Sequence, residues 1–493
     1  MDPPHPAMAA AAVSLGDDPH ETLLRTPLRQ LLKRAAVTAA PSLSIAEAAQ
    51  LMSQQRVSSL LLVQAGPQGE RLVGLVTDRD LRTRVLAAGV DPAQPVSTIA
   101  TPMPMTVDID APAFDALLLM ARHNVHHMPV LEAGRPVGMI TATDVTQHHG
   151  QSAVSLAGAV HRQDSVPALA AVAAQVRQMQ RRLAAAGTSA QRTGELVTAM
   201  TDALTQRLLH LGEVQFGAPP VPYAWVAAGS QARAEQTAKS DQDNCLVLDD
   251  AYEPSRHGDY FKRLAGFVND GLDACGYVYC PGEMMARTDA WRQPQRQWLA
   301  YFDDWTRKPE PKALMLTCVF FDLRCIHGNA ALLETVRQQV LKRTRGNSIF
   351  LSFMANNALM HRPPLSLFGG ISTQASGGHR DAVDLKHGGI VPIVDLARVY
   401  ALAGGHAAVG THERLRVAAG QGEISAQGAR DLSDALEFMG RLRLRHQALQ
   451  MEREQPADNM LSISELGHFE RDQLKQAFGV VQTLQAVLVQ RYR

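Results

Sequence analysis

An internal repeat near the start of the chain limits the fold more than any other feature. Residues 28–64 and 96–132 share one order of apolar and polar positions. Each segment is followed by a hairpin and a strand led by glycine, "LVGLVTDRDL" in one copy and "PVGMITATDV" in the other. A repeat of this kind indicates two copies of one supersecondary unit that pack together. The pattern of each copy predicts a strand, an amphipathic helix, two strands and a helix.

Both copies end on the pattern G-x-x-T-x-x-D, which occurs as Gly74, Thr77 and Asp80 and again as Gly138, Thr141 and Asp144. The repeat resembles the cystathionine-β-synthase (CBS) domain pair, a two-fold module with clefts for adenine nucleotides. The resemblance implies that each aspartate accepts hydrogen bonds from ribose hydroxyls and that each threonine lies near phosphate, roles that suit a carboxylate and a hydroxyl. We also expect a homodimer through the pair. A simpler alternative stays open, in which each aspartate only caps the helix that follows it.

The composition of the chain argues against several classes of protein. With 493 residues the chain is long enough for three or four domains, and its 46% hydrophobic residues can fill several cores. Lys and Arg together number 48, as do Asp and Glu, so no basic excess favours nucleic acid as a partner. No apolar run approaches the length of about 18 residues that a membrane span needs. Five scattered cysteines indicate a reducing cytoplasm rather than a disulfide framework or a zinc site.

The stretch "WVAAGSQARAEQTAKSDQDNCLVLDD", from Trp225 to Asp250, carries the strongest chemical signal. It predicts a strand, a Gly-Ser turn, a short helix and a second strand. Residues two apart on a strand point to the same face, so Asp241 and Asp243 should project together, ~7 Å apart along the chain. A helix N-terminus after a small Gly-Ser turn suits phosphate, and paired carboxylates suit Mg²⁺.

This stretch resembles the nucleotidyltransferase superfamily of the DNA polymerase β type, whose pattern is Gly-Ser, then Asp-x-Asp, then a third carboxylate on a later strand. The apolar run "LTCVFFDLRCIHG" offers Asp322 as that third carboxylate, and we expect the run to be a strand. The resemblance implies a nucleoside triphosphate substrate and a catalytic triad of Asp241, Asp243 and Asp322. The triad would hold two Mg²⁺ ions, which activate the attacking oxygen and neutralise charge on the pyrophosphate leaving group.

A closer resemblance is to PII uridylyltransferases, to glutamine-synthetase adenylyltransferases and above all to related nucleotidyltransferases that carry CBS domains. The residues that match are Gly229, Ser230, Arg233, Glu235, Gln236, Thr237, Asp241, Gln242, Asp243 and Asn244. Ala232 stands where many members have glycine. The resemblance implies that Gly229 and Ser230 cradle phosphates. Arg233 and Lys239 either contact phosphates as well or are simply solvated.

The C-terminal part has its own landmark, "GGHRDAVDLKHGGIVPIVDLARVYAL". It resembles the helical substrate-binding domain of the same families, in which a D-L-K-x-G-G element precedes a helix. Asp384, Lys386, Gly388 and Gly389 match that element. Lys386 either pairs with the triphosphate or is a surface lysine at a tight turn. The later run "LRLRHQ" predicts a bundle helix with its arginines outward.

The predicted fold class is a multidomain α+β protein. Its parts are a disordered tail at 1–26, a tandem CBS pair at 27–150, a helical connector at 151–218, a polymerase-β-type nucleotidyltransferase core at 219–345, and a C-terminal helical bundle, the substrate-binding domain, at 346–493. The run "GAPPVP" marks the boundary before the core, because its three prolines and one glycine interrupt regular structure.

We expect an enzyme that moves UMP or AMP from a nucleoside triphosphate to an acceptor, with a PII-like protein or glutamine synthetase as acceptor and a role in nitrogen signalling. The CBS pair would tune its activity to adenylate status. Two alternatives stay open. One is a ligand-sensing CBS protein with an inactive transferase domain, against which the complete carboxylate triad argues. The other is a nucleotidyltransferase of the antibiotic-modifying kind, against which the CBS pair and the long helical tail argue.

Overall fold

The computed structural model describes residues 26–32, 35–66, 69–146, 153–237, 240–308, 311–366, 370–376 and 379–492. The chain forms two units, the first ending at Val154 and the second running from Ser155 to Arg493. The predicted tail lies outside the described residues, apart from Thr26. Within the described part of the chain, none of the helices combines the length and the apolarity that a bilayer crossing requires.

The first unit contains two copies of the predicted order of elements. Its helices and strands are α1 (Leu28–Leu31), β1 (Thr38–Ala39), α2 (Ile45–Gln55), β2 (Ser59–Gly66), β3 (Gly69–Thr77), α3 (Asp78–Asp80, continued by a π-helical stretch Leu81–Leu86), β4 (Thr101–Pro102), β5 (Val107–Asp108), α4 (Ala113–His123), β6 (His127–Glu132), β7 (Arg135–Thr141) and α5 (Ala142–Thr146). The two sheets have the strand orders β1-β2-β3-β4 and β5-β6-β7. In each copy the first pair of strands is parallel and the hairpin that follows is antiparallel. The predicted repeat is therefore confirmed as a structural repeat.

Local sequence signals explain how each copy builds its helix. In the first copy the side chain of Ser44 accepts a hydrogen bond from the Glu47 backbone, and the Glu47 carboxylate accepts one from the Ser44 backbone, so α2 begins with a capping box. The buried face of α2 has Ile45, Ala48 and Met52 at spacings of three and four residues. These side chains belong to the core formed against strands β2 and β3.

The rest of the chain is mainly helical. Its elements are α6 (Ala153–Arg162), α7 (Val166–Ala185), α8 (Ala190–Phe216), β8 (Tyr223–Ala228), α9 (Gly229–Ala232), β9 (Asn244–Leu248), α10 (Pro254–Ala274), β10 (Arg292–Pro294), α11 (Gln295–Arg307), α12 (Pro311–Phe320), β11 (Leu323–Gly328), α13 (Ala330–Thr344), α14 (Ser348–Asn357), β12 (Gln374–Ser376), β13 (His379–Asp384, followed by a π-helical stretch Lys386–Ile390), α15 (Val391–Gly404), α16 (Thr411–Gly420), α17 (Ala426–Glu452), β14 (Met460–Ser462) and α18 (His468–Arg491).

A mixed four-stranded sheet forms the centre of the second unit. Its order is β10-β9-β8-β11, with β10 parallel to β9 and the other pairs antiparallel. Strand β8 is buried along its whole length. One core of this unit includes side chains of the sheet together with Trp298, Phe302 and Phe320, and the C-terminal helices enclose another. A small sheet of order β12-β13-β14 carries the D-L-K-x-G-G element at the end of β13.

The two predicted connector helices are present as α7 and α8. They are separated at Gly187, which has a positive φ, and Ser189 caps α8 by accepting a hydrogen bond from the backbone of Arg192. The C-terminal helix α17 packs against both of them. The Glu437 carboxylate on α17 accepts hydrogen bonds from the first N–H groups of α8, at 2.7 and 3.1 Å.

One local prediction is wrong, and a second holds only in part. The run before Asp322, predicted to be a strand, forms the helix α12, and strand β11 begins only at Leu323. A short run that is apolar on all sides does not distinguish a buried helix from a buried strand by its periodicity. The predicted helix after the Gly-Ser turn is a single turn, α9, because Ala234 adopts a left-handed conformation with a φ of 61°.

Candidate active site

The Gly-Ser turn leads from β8 into α9 through Gly229, whose φ of 55° lies in the left-handed region that glycine adopts without strain. A Cβ at this position would lie 2.7 Å from Oδ2 of Asp243. The Gly229 backbone N–H donates to the carbonyl oxygen of Asp322 at 3.1 Å. The turn therefore requires glycine for its backbone conformation and for the close approach of a carboxylate. The structure places Asp243 directly against the Gly-Ser turn.

The segment Asp241 to Asn244 is anchored by its two amide residues. Gln242 and Asn244 are buried, and Asn269 on α10 donates to the side-chain oxygen of each, at 2.8 and 3.0 Å. Successive side chains of an extended segment point in opposite directions. Because the amides bind α10, the carboxylates of Asp241 and Asp243 emerge together on the other side. The structure thus brings the predicted carboxylate pair together.

The carboxylate pair forms a cluster with Cys280, in which the three candidate ligand atoms lie within 4.8 Å of one another. Burial, reinforced by the negative charge of Asp241, raises the pKa of Asp243 to about 6. Burial also raises the pKa of the Cys280 thiol to about 12, with a further contribution from the charge of Asp243. The donor set fits a hard divalent cation: two crowded carboxylates gain from a positive charge between them, whereas a neutral thiol is a poor ligand.

Asp322 does not lie with this pair. Its carboxylate, which is 0% exposed, accepts hydrogen bonds from Arg398, Arg414 and Arg233 at distances between 2.6 and 3.0 Å. Burial alone raises the pKa of Asp322, but the charges of Arg398, Arg414 and Arg233 together outweigh it and hold that pKa well below its usual range. Both oxygens are therefore occupied by guanidinium groups. The expected three-carboxylate set reduces to Asp241 and Asp243 in this structure.

The other residues predicted to bind phosphate have different surroundings. Arg233 is committed to Asp322 and, through Nε, to Glu235 at 2.7 Å. Lys239 lies outside the described residues, and Ser230 is the second residue of the turn α9. The charge of Lys386 contributes to lowering the pKa of Asp243, so this lysine is within electrostatic range of the carboxylate pair. Of the residues predicted to bind phosphate through a positive charge, Lys386 lies within electrostatic range of the carboxylate pair, whereas Arg233 forms ion pairs with Asp322 and Glu235.

One residue near the pair was missed by the sequence analysis. Arg443, on α17, was expected to point outward, but it is only 8% exposed. Burial lowers its pKa to about 10, while the charges of Asp384, Glu235 and Asp241 act in the opposite direction. The sequence did hold a signal: residues two apart on a helix lie on opposite faces, so Arg443 could not share a face with the arginines on either side of it.

In the CBS unit, the repeated motifs form matching hydrogen bonds. Thr77 donates from its backbone and its hydroxyl to Asp80, at 2.9 and 2.7 Å, and Thr141 donates to Asp144 at 2.9 and 2.6 Å. Each aspartate thus takes part in capping the helix that follows it. At the second motif these residues also line a cavity of about 330 Å³, which includes Ser58 from the first copy. Capping and ligand binding are therefore compatible at Asp144.

Comparison with known families identifies three segments of the chain. The family described as "CBS domain" matches residues 28–87 and 96–149. "Putative nucleotidyltransferase DUF294" matches residues 174–312, and "Putative nucleotidyltransferase substrate binding domain" matches residues 348–492. The carboxylate pair lies within the second match, and Lys386 and Arg443 lie within the third.

Individual relatives share the CBS part. The CBS domain-containing protein YhcV of Bacillus subtilis is 31% identical over 130 residues, which are 26% of this chain and 90% of that protein. Hypoxic response protein 1 of Mycobacterium tuberculosis is 28% identical over 130 residues, 26% of this chain and 89% of that protein. A solved CBS domain protein from Pyrobaculum aerophilum, complexed with AMP, is 31% identical and covers 24% of this chain and 89% of that chain, with a TM-score of 0.23. The chain therefore belongs to the CBS-domain-containing proteins and joins its CBS domains to a DUF294 domain and the substrate-binding domain that accompanies it.

Proposed function

We propose that this protein is a Mg²⁺-dependent nucleotidyltransferase that transfers UMP or AMP from a nucleoside triphosphate to an acceptor. The observation that carries the proposal is the carboxylate pair of Asp241 and Asp243 held against the Gly229 turn. A half-buried carboxylate whose pKa is raised by desolvation and by a second carboxylate is costly unless a cation or a proton lies between the two. A metal-bound triphosphate supplies that charge and places phosphates next to a glycine turn.

Each residue has a defined part in this reaction. Asp241 and Asp243 would hold Mg²⁺, and the ion would supply positive charge to offset that of the triphosphate and of the pyrophosphate leaving group. Ser230 offers its backbone N–H group to phosphate, and Lys386 adds a positive charge from the helical domain. The Gly229 N–H already donates to the Asp322 carbonyl, so Gly229 contributes by allowing a close approach to the turn. The acceptor oxygen bonds to the α-phosphorus as the bond from that phosphorus to the bridging oxygen breaks. Pyrophosphate leaves with the electron pair, and the hydroxyl proton is released.

We further propose that the acceptor is a protein, with a PII-like protein or glutamine synthetase as the first candidates. The helical domain that follows the core matches a family described as substrate binding, which supports a role for this domain in binding the acceptor. The CBS pair would bind an adenine nucleotide at the cavity of Thr141 and Asp144 and adjust transfer to adenylate status. A homodimer through the CBS pair belongs to the same proposal.

The decisive experiment measures Mg²⁺-dependent label transfer from UTP or ATP labelled at the α-phosphate, with PII and glutamine synthetase as acceptors. Asp243→Asn should reduce transfer by at least about a hundredfold, because the substitution removes the negative charge and one of the two oxygen donors that a divalent cation needs. Asp250→Asn, at the opposite end of β9 and exposed, is the matched control and should transfer at the wild-type rate.

Transfer by Asp243→Asn at the wild-type rate would disprove the proposed role of the pair. Mg²⁺-dependent triphosphate binding with no label on any acceptor would favour the ligand-sensing alternative with an inactive transferase domain. Label on one acceptor would identify the reaction, the preferred base and the target together.

A further inference from the structure

We infer that Arg443 is a phosphate-binding residue of the candidate active site and receives the β- or γ-phosphate of the nucleoside triphosphate. The inference rests on the proposed function, because it names a binding group for the substrate of that site. The sequence analysis gave Arg443 no such role.

The first observation is a buried cation without an anionic partner. Arg443 is 8% exposed, and among the described residues its guanidinium makes one hydrogen bond, from Nε to Oδ1 of Asn459 at 2.7 Å. No carboxylate oxygen of the described residues lies within 4.0 Å of it. The other two buried arginines of the helical domain, Arg398 and Arg414, are each paired with Asp322. Arg443 alone among these three keeps its terminal N–H donors uncommitted to a carboxylate.

The second observation is where this cation lies. The charges of Asp384, Glu235 and Asp241 all act on Arg443, so its guanidinium is within electrostatic range of the carboxylate pair through Asp241 without forming an ion pair with it. Lys386 acts on Asp243 from the same domain. Asn459, whose side-chain oxygen accepts the hydrogen bond from Arg443 Nε, also accepts one at its backbone carbonyl from the Leu385 N–H, at 3.0 Å. Arg443 and the D-L-K-x-G-G element are therefore fixed by one residue and face one site.

The third point is energetic. A buried guanidinium without a paired anion destabilises the folded protein, because burial removes its hydration without replacing it. Such a cost persists in active sites where a ligand supplies the missing charge. The planar guanidinium presents parallel N–H donors that match two phosphate oxygens. In an ion pair within the protein, a carboxylate would bind these donors instead. Burial lowers the pKa of Arg443 only to about 10, so it remains a cation at neutral pH.

The test is calorimetric titration of the full-length protein with inorganic tripolyphosphate in the presence of Mg²⁺, together with thermal unfolding without ligand. The variants are Arg443→Met, which keeps much of the length and none of the charge, and Arg443→Lys, which keeps the charge without the fork. Arg445→Met is the matched control, because Arg445 lies two residues along the same helix, is 47% exposed and pairs with Glu470.

We expect Arg443→Met to weaken tripolyphosphate binding at least tenfold while its unfolding temperature without ligand is unchanged or raised. Arg443→Lys should recover part of the affinity, and Arg445→Met should bind as the wild type does. Unaltered affinity in Arg443→Met would overturn the inference. A lowered unfolding temperature, or failure to fold, would also overturn it, because both outcomes identify a structural arginine.

This experiment separates the inference from the function on which it rests. Tripolyphosphate binding requires neither an acceptor nor turnover. Wild-type binding that depends on Arg443, without transfer to any acceptor, would contradict the proposed transferase only. Transfer that depends on Asp243, with binding that does not depend on Arg443, would contradict this inference only.

Discussion

Asp322 is the residue at which three separate elements of the second unit meet. Arg233 follows the turn α9, Arg398 lies on α15 and Arg414 on α16, and all three donate to its carboxylate. Two further carboxylates complete the cluster: Glu235 pairs with Arg233, and Asp395 pairs with Arg398. Three guanidinium groups thus face three carboxylates. This balance explains how so many charges are buried together, because each has a hydrogen-bonded partner of opposite sign.

Replacing Asp322 by asparagine should destabilise the second unit by about 3–5 kcal/mol, because it leaves buried guanidinium groups without their anion. Urea unfolding at pH 7 measures the change. Asp259→Asn is the control, since its 84% exposed carboxylate pairs with Arg263 at the surface, where such a pair contributes about 0–1 kcal/mol. An Asp322→Asn protein as stable as this control would contradict the structural role given to Asp322.

The same residue gives a pH dependence with a definite sign. The pKa of Asp322 is lower in the folded protein than its ordinary value of 3.8, so the folded state binds its proton less readily than the unfolded state does. Its contribution to stability is therefore fully present above about pH 4 and is lost as the pH falls further. The stability difference between the wild type and Asp322→Asn should be constant from pH 5 to 7 and should shrink below about pH 4.

The turn between β8 and α9 requires glycine at position 229 for two reasons, its left-handed backbone conformation and the close approach of Asp243. Mutation can separate these two reasons. Gly229→Ala places a Cβ 2.7 Å from the Asp243 carboxylate in a left-handed conformation. Gly187→Ala, with a φ of 68° and no atom within 4 Å, adds only the backbone strain. Both should lose about 1 kcal/mol of stability to that strain. Only Gly229→Ala should also lose transfer, by about tenfold or more, as measured by label transfer at saturating Mg²⁺.

Equal transfer by the two alanine variants would show that the close approach of Asp243 to the turn has no catalytic consequence.

Helix α17 shows how the spacing of charged residues along a helix affects their burial. Its three arginines at alternate positions cannot share one face, and the structure divides them accordingly. Arg441 and Arg445 line a surface cavity with Glu470, whereas Arg443 is buried.

At the scale of the whole molecule, the chain consists of two units that each have a hydrophobic core of their own. We expect two unfolding transitions in a calorimetric scan of the full-length protein. AMP should raise the temperature of one transition only, because a ligand stabilises the unit that binds it, by about 3 kcal/mol at a hundredfold excess over Kd. Asp144→Asn should reduce that shift, and Asp91→Asn, an exposed aspartate of the same unit, should not.

A scan in which AMP moves both transitions together would contradict independent ligand stabilisation of the CBS unit. A scan in which AMP moves neither would contradict nucleotide binding at the Thr141 and Asp144 cavity.

The CBS repeat itself was predictable from the sequence, because each copy's pattern of apolar residues and its G-x-x-T-x-x-D motif lie within one short segment. The capping box at each motif is equally local, since its partners are three residues apart.

The carboxylate pair was predictable for the same reason. Asp241 and Asp243 are two residues apart, and the alternation of an extended segment directs both to one side. The run before Asp322 was predicted wrongly, because an apolar stretch of about ten residues satisfies a helix and a strand alike. Its packing among Trp298, Phe302 and the other aromatic side chains of that core selected the helix.

The CBS repeat, the Gly-Ser turn and the carboxylate pair could therefore be predicted from the sequence, because the residues of each motif lie close together in the chain. The roles of the charged residues around them depend on tertiary contacts. Asp322 pairs with Arg398 and Arg414, which follow it by 76 and 92 residues. Arg443 faces carboxylates that lie far from it in the chain. Whether a buried charge is neutralised or left for a ligand depends on such distant partners, and no local pattern specifies them.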